Sequence, residues 1–218
     1  MKKKTDIWQS FTDMGDYLKG AAGEISKATL TRKGCCELSQ RIEALRQKAQ
    51  EDRFSLSTRL RREFITPMER EDMYALWEGG FRLLEELAQT AALLYFCQNQ
   101  TEKGVAEEKG DSSDFKELLE SMGECCELYG GILQRMRESE RDSLWQQLSV
   151  AGRQLAQGRQ MYWQQVMRKT ELAKRKAGES SKFWSYTIQM QLLHQMQAWM
   201  FCCGNTIGLT KLILLKNT

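Results

Sequence analysis

The sequence predicts an all-α protein, and three features carry that prediction. Proline occurs once in 218 residues, so almost nothing in the chain interrupts a helix. Residues with high helix propensity, such as glutamine, glutamate, leucine, arginine and lysine, are abundant. Apolar residues recur at three- and four-residue spacing over long segments. A chain of this length can form one substantial core or two small ones.

The first half of the chain predicts three helices. The first spans Asp6 to about Gly20, with apolar positions at helical spacing. The second runs from near Glu24 to about Glu63 and is either continuous or broken at Gly34. The third begins at Pro67 and continues to about Gln100.

The second half predicts three more helices after a polar, glycine-containing linker at about 101–113. The fourth begins after Asp114 as N-cap and ends near Glu138, and the fifth spans roughly Glu140 to Lys176. The sixth runs from about Lys182 to Lys216. We therefore expect one domain, 1–218, built as two antiparallel three-helix units at 5–100 and 114–217 that pack as a six-helix bundle. A single irregular bundle would also fit the periodicity.

Two glycine pairs lie inside predicted helices, and each glycine costs about 1 kcal/mol relative to alanine there. They are Gly79-Gly80 and Gly130-Gly131. Close approach of two helices explains such pairs, and so does a local kink.

The start of the third helix is the most specific local pattern. Thr66 is the predicted N-cap, Pro67 suits the first helical position, and Glu69 three residues after Thr66 completes a capping box. Glu71 and Asp72 add negative charge where the helix dipole favours it.

The string around this helix start resembles the signature of the PhoU-like phosphate-transport regulators, a family of Pit accessory proteins. It consists of Phe64, Ile65, Thr66, Pro67, Met68, Glu69, Arg70, Glu71 and Asp72. The flanking segments Leu60–Glu63 and Met73–Leu76 extend the match, and the closing segment Ile213–Asn217 is similar too. The resemblance covers roughly 35–90 and 195–217. It implies two repeated three-helix units and a phosphate transporter or a signalling protein as partner.

Relatives of PhoU carry acidic helix motifs whose carboxylates bind metal ions, and the resemblance allows each motif to be sought here. The corresponding positions are Arg46, Lys48, Ala49 and Gln50 in the second helix, Phe81, Arg82 and Glu85 in the third, Gln157, Gly158 and Arg159 in the fifth, and Phe201, Gly204 and Asn205 in the sixth. Because arginine and lysine repel divalent cations, we predict that the multinuclear metal site is absent and that there is no cofactor. Arg46, Lys48 and Arg82 could bind an anion such as phosphate, but salt bridges with Glu43 and Glu85 are favoured.

Other enzyme chemistry has little basis in the sequence. His194 is the single histidine, and Gln191 stands where a ferritin-like Glu-x-x-His motif needs glutamate. Neither a phosphate-binding glycine loop nor Gly-x-Ser-x-Gly is found. We predict that the protein is not an enzyme.

Composition bounds the partners and the compartment. A net charge of +3 is too small to predict nucleic-acid binding. No stretch reads as a membrane span of about eighteen apolar residues, and the segment from Thr5 is too polar for a signal peptide, so we expect a cytoplasmic protein. Six of the seven cysteines form the adjacent pairs 35–36, 125–126 and 202–203. One cysteine of each pair should face the core, and this structural role is favoured over a metal or redox role.

Basic and methionine-rich segments are candidates for contacts with partners. The basic residues are Arg59, Arg61 and Arg62, then Arg168, Lys169, Lys174, Arg175 and Lys176. They form either solvated helix faces or contacts for an acidic partner or an anionic membrane surface. The methionines and tryptophans of the last two helices fill the core or bind a partner. We predict a regulatory accessory protein of phosphate transport that acts by protein–protein interaction, and a homodimer is plausible. The alternative is a scaffolding bundle that has lost the phosphate link.

Overall fold

Six helices make up the molecule. In the computed structural model, residues 7–62, 66, 68–100, 111–137, 141–175 and 180–217 are described, and all the regular structure in them is α-helix. The helices are α1 (Ile7–Lys27), α2 (Arg32–Arg62), α3 (Arg70–Gln100), α4 (Asp111–Arg135), α5 (Arg141–Arg175) and α6 (Ser180–Lys216). The predicted all-α, six-helix bundle is confirmed.

The helices pack as two three-helix units. Successive helices contact each other within α1–α3 and within α4–α6, and the two sets join mainly where α1 packs on α4 and α3 packs on α6. The pairs are antiparallel: α3 meets α6 through Trp199 with Leu83 at one level and Asn217 with Asp72 at another. This is the arrangement that the sequence predicts. The limits 5–100 and 114–217 stay a prediction, since 1–6 and 101–110 lie outside the described residues.

Buried polar groups tie the helices together at three places. The indole N–H of Trp77 donates to the Ser10 carbonyl at 3.1 Å, and the indole N–H of Trp199 donates to the Leu83 carbonyl at 3.0 Å. The hydroxyls of Tyr129 and Thr210 lie 3.1 Å apart. Because a buried donor without a partner costs about 1–3 kcal/mol, these bonds fix the register of α1 on α3 and of α3 and α4 on α6.

The glycine pairs mark close helix contacts. A Cβ added at Gly79 would lie 2.7 Å from Cγ2 of Thr206 on α6, and one added at Gly130 would lie 2.7 Å from the Gly15 carbonyl oxygen on α1. Close approach, rather than a kink, therefore explains both glycines, and α3 and α4 continue through them. Gly131 has ordinary room around it, with the nearest atom 3.8 Å away.

Several predicted helix ends are wrong by a few residues. α1 continues past Gly20 to Lys27 because Ala21 and Ile25 extend its buried face. α2 begins at Arg32, not near Glu24, and its N-cap is Thr31, whose hydroxyl accepts from the Gly34 N–H at 3.2 Å. α4 begins at Asp111, so 111–113 of the predicted linker are helical.

The predicted capping box at Thr66 is also wrong. The Thr66 hydroxyl donates to the Met68 carbonyl at 2.6 Å instead of accepting from the first turn. The first helical bond runs from the Met73 N–H to the Glu69 carbonyl, so Glu69 takes the N-cap position and α3 begins at Arg70. Glu71 and Asp72 do lie in the first turn, as predicted. Phe64, Ile65 and Pro67 lie outside the described residues.

Candidate functional site: the outer faces of α3 and α6

Helix α3 packs between α2 and α6, helix α6 packs between α5 and α3, and each turns one face outward. Spacings of three and four residues place Glu78, Arg82, Glu85 and Gln89 on the outward face of α3, and Phe201, Asn205, Gly208 and Leu212 on that of α6. All eight are exposed or partly exposed. Arg82, Glu85, Phe201 and Asn205 on these faces occupy positions that the resemblance aligns with metal-binding acids.

Ion pairs cover the groove between α2 and α3. Arg46 donates two hydrogen bonds of 2.7 Å to the Glu43 carboxylate, which lowers the pKa of Glu43 from its ordinary value. Arg53 donates to Glu78 at 2.7 Å, and the Arg82 guanidinium lies 3.6 Å from the same carboxylate oxygen. The predicted salt bridge of Arg46 with Glu43 is confirmed. Arg82 pairs with Glu78, one turn before it on α3, rather than with the predicted Glu85.

Phe81 points into the core, although the resemblance aligns it with a metal-binding acid. Its ring is buried and stacks on Trp77 at 5.8 Å between centroids, and the Arg53 guanidinium lies 5.1 Å from its centre. An aromatic ring and a guanidinium thus stand together at this position, where neither can bind a cation as a ligand.

The remaining positions on α2 do not bring acids together either. Lys48 is exposed and Gln50 is half-buried. Among the described residues, no group of three or more histidine, cysteine, aspartate or glutamate side chains is arranged to hold a metal ion.

Arg159 lies along the groove between α5 and α6. Its guanidinium donates to the Met200 carbonyl at 3.4 Å, and a Cβ added at Gly204 would lie 2.6 Å from its Nη2 atom. The missing side chain of Gly204 therefore makes room for Arg159. Asn205 is exposed on the same helix.

Large apolar side chains are exposed beside Arg159 and along α6. Phe201 and Leu212 are each 65% exposed, and Leu215, Trp163 and Met167 are more than half exposed. Met196, Trp199 and Met200 are buried, so the core-filling interpretation of the methionine- and tryptophan-rich helices is confirmed for these residues. We call Phe201, Leu209, Leu212 and Leu215 with Trp163 and Met167 the α5–α6 apolar surface.

The apolar character of α6 also bears on the membrane. In the part of the chain that the structure describes, Thr187–Lys216 is long and apolar enough to cross a membrane, contrary to the expectation from the sequence. However, 44% of its most apolar window is buried inside the bundle. A core helix of a helical bundle can pass the same test of length and composition.

The cysteines pack in the core. Cys35 and Cys203 are buried while Cys36 and Cys202 are half-buried, as predicted, but Cys125 and Cys126 are both buried. The pair 125–126 departs from the prediction because α4 packs against α1, α3, α5 and α6, so adjacent positions face different neighbours. Burial raises the pKa of Cys35 to about 11, which disfavours the reactive thiolate.

The two segments that carry the family resemblance meet in space. Lys216 at the end of α6 forms salt bridges with Glu69 and with Asp72, the latter at 3.3 Å. Asn217 also donates to the Asp72 carboxylate. The acids at the start of α3 therefore anchor the end of the chain, while Arg70 and Glu71 are exposed.

The basic residues separate into structural and exposed groups. Arg59 donates to the Ser10 hydroxyl at 3.0 Å and so links α2 to α1, whereas Arg61, Arg62 and Arg168 are exposed.

Lys169 was predicted within a basic surface, but only 2% of it is exposed. Its ammonium lies 5.6 Å from the centre of the Phe115 ring, and desolvation lowers its pKa to about 8. Its position seven residues after buried Tyr162 is the sequence signal for this inward direction. The side chains of Lys174 and Arg175, and residue Lys176, lie outside the described part.

Comparison with known proteins does not assign a function to these helix faces. No protein-family model matches the chain, and no curated protein matches it.

Proposed function

We propose that this protein is a non-catalytic, cytoplasmic accessory protein that regulates inorganic phosphate transport through protein–protein contacts. The phosphate connection rests on the resemblance of 64–72 and 213–217 to PhoU-like regulators. The observation that carries the interaction role is the α5–α6 apolar surface, where Phe201 and Leu212 are each 65% exposed. Several large exposed apolar side chains on neighbouring helices are typical of protein interaction sites.

The charged groups support binding over catalysis. Two carboxylates on α2 and α3 are engaged by arginines: Glu43 by Arg46, and Glu78 by Arg53 and Arg82. Acids held in this way do not converge on a metal ion, and the cationic groups beside them oppose one.

The proposal is tested by affinity purification of the tagged full chain from its native host. We expect a phosphate transporter or a signalling protein to co-purify. The Phe201→Glu variant should lose it, because a charge replaces an exposed apolar contact. The matched control is Phe54→Glu, since Phe54 is 71% exposed on α2, away from this surface. Recovery of nucleic acid alone, or equal recovery with both variants, would contradict the proposal.

A further inference from the structure

Positive charge is concentrated in the part of the chain that forms α5 and α6. Residues 143–218 contain ten lysines and arginines but only two acids, Glu171 and Glu179, whereas residues 1–142 contain 22 basic and 27 acidic residues. The two parts therefore carry net charges of +8 and −5, although the whole chain carries only +3. Such a charge asymmetry is typical of proteins that bind an anionic surface, either a membrane or a nucleic acid.

Arginines on α5 lie beside the exposed aromatic side chains. Arg159 is exposed one turn before Trp163, and a Cβ added at Gly204 would lie 2.6 Å from its Nη2 atom. Gly204 itself lies one turn after Phe201 on α6. Arg153 is exposed about three turns before Trp163, on the same side of α5. Neither arginine forms a salt bridge within the part of the chain that the structure describes, so both leave their full charge at this surface.

The apolar part of the same surface is suited to lipid. Trp163 and Phe201 are 57% and 65% exposed, and Met167, Leu212 and Leu215 add exposed aliphatic side chains. Aromatic rings and leucines next to basic residues are the composition of helices that lie in the interface of a bilayer. A nucleic acid would pair with the arginines and stack on the rings, but it would leave the aliphatic side chains without a contact.

We propose that the α5–α6 apolar surface, together with Arg153 and Arg159, docks on an anionic phospholipid bilayer. The aromatic rings and leucines enter the headgroup region, where they leave water. The two guanidinium groups pair with lipid phosphates, to which arginine can donate two parallel hydrogen bonds. The charge of residues 143–218 attracts the protein to the negative surface and turns this side of the bundle towards it.

The bundle stays intact in this arrangement, so the protein lies on the bilayer and does not cross it. Trp199, Cys203 and Thr210 are buried on the other side of α6, and the Trp199 indole bonds to the Leu83 carbonyl of α3. A spanning α6 would remove this cover from α3 and α4. The apolar composition of Thr187–Lys216 is explained by a helix with the core on one side and lipid on the other.

This inference deepens the proposed function and rests on it for the biological role of the docking. A transporter exposes its cytoplasmic side at the level of the lipid headgroups. An accessory protein that binds there therefore meets lipid and protein with one continuous surface. The lipid contact also raises the effective concentration of the accessory protein near the transporter.

The test is flotation of the purified full chain with vesicles of phosphatidylcholine and phosphatidylglycerol, compared with phosphatidylcholine alone. The protein should float with the anionic vesicles only, and binding should weaken at least tenfold between about 0.1 and 0.5 M salt. Arg153→Gln combined with Arg159→Gln should also weaken it at least tenfold, since each basic residue contributes about fivefold. The charge-matched control is Arg61→Gln with Arg62→Gln on α2, where both arginines are exposed, and it should leave vesicle binding unchanged.

The apolar contact is tested with the same vesicles. Phe201→Glu and Leu212→Glu should each weaken binding at least tenfold, because a carboxylate then faces the lipid phosphates. Phe54→Glu, on α2 and similarly exposed, should leave binding unchanged. Far-ultraviolet circular dichroism melting of each variant shows that it is folded.

Other outcomes overturn the lipid site and separate it from the proposed function. Equal binding to neutral and anionic vesicles, binding to neither, or equal losses with the two arginine pairs would exclude it. A DNA duplex bound through Arg153 and Arg159 in the absence of vesicle binding would assign the surface to nucleic acid. If vesicles are not bound but Phe201→Glu still loses a co-purifying transporter, the lipid site fails and the proposed function stands. Vesicle binding without any recovered protein partner does the reverse.

Discussion

The outward faces of α3 and α6 are equivalent positions in the two halves of the bundle, yet their surfaces differ. On α3 the face carries Glu78, Arg82 and Glu85, and Glu78 forms ion pairs with Arg53 of α2 and with Arg82. On α6 the face carries Phe201 and Leu212, which are exposed.

The two helices are alike on their buried sides. Each inserts one tryptophan, Trp77 or Trp199, whose indole N–H bonds to a backbone carbonyl of a neighbouring helix. The comparison shows that inward residues hold the helices in place, while outward residues can change without changing the fold. A surface difference between two equivalent helices therefore locates function better than the shared core does.

The largest expected effect comes from replacing the buried tryptophan that α3 and α6 each carry. Trp199→Ala and Trp77→Ala should each lower the free energy of unfolding by about 3–5 kcal/mol, because each leaves a large cavity and removes a buried hydrogen bond. Urea denaturation followed by circular dichroism measures both. A loss below about 1 kcal/mol for Trp199→Ala would mean that α6 is not an integral part of the core.

Removing an arginine from the groove between α2 and α3 should destabilise the protein more than removing one from the equivalent groove between α5 and α6. Arg53→Met should destabilise the protein by about 1–3 kcal/mol, because it leaves the largely buried Glu78 carboxylate with Arg82 alone. Adding Glu78→Gln should recover part of that loss. The matched change on α5, Arg159→Met, should cost less than about 0.5 kcal/mol, since Arg159 is exposed. Equal losses for the two arginine variants would remove the contrast.

Substitutions at two glycines test the inner and outer sides of the α3–α6 pair. Gly79→Ala should destabilise by about 1–2 kcal/mol, because the new Cβ would lie 2.7 Å from Cγ2 of Thr206. Gly208→Ala on the outer side should raise the monomer's free energy of unfolding by up to about 1 kcal/mol, since alanine favours helix and the space is open. Thermal melting at low protein concentration measures both, and a stabilising Gly79→Ala would show that α3 and α6 are less close.

The smallest expected effect is on the pH dependence of the free energy of unfolding. It comes from the Arg46–Glu43 ion pair on α2. Because Arg46 lowers the pKa of Glu43, the folded state stabilises the carboxylate. That contribution is present above the ordinary glutamate pKa of 4.5 and is lost as the pH falls through the lowered value. Glu43→Gln should remove it, with a change below about 1 kcal/mol at pH 7 because both side chains are partly exposed. Unfolding free energies at pH 7 and pH 3 measure it, and an identical pH dependence in the variant would contradict the assignment.

Local patterns predicted much of the helical content but less of its detail. The Thr66 capping box was wrong because Glu69 takes the N-cap position, while its carboxylate binds Lys216. Lys169 was assigned to a basic surface because charge predicts exposure, although its spacing from Tyr162 places it on the core face. The cysteine pair 125–126 was wrong because a helix with neighbours on three sides buries adjacent positions.

The sequence by itself determined that the chain forms six long helices, because helix propensity and 3.6-residue periodicity are properties of neighbouring residues. It also placed Arg46 beside Glu43, three residues apart on one helix. Only the tertiary structure decided that α3 pairs with α6, that Lys216 meets Glu69, and which side of α6 is exposed. A periodic stripe shows that a helix buries one side but not against which partner, and α6 carries large apolar residues on its buried and exposed sides alike, so its pattern does not show its orientation.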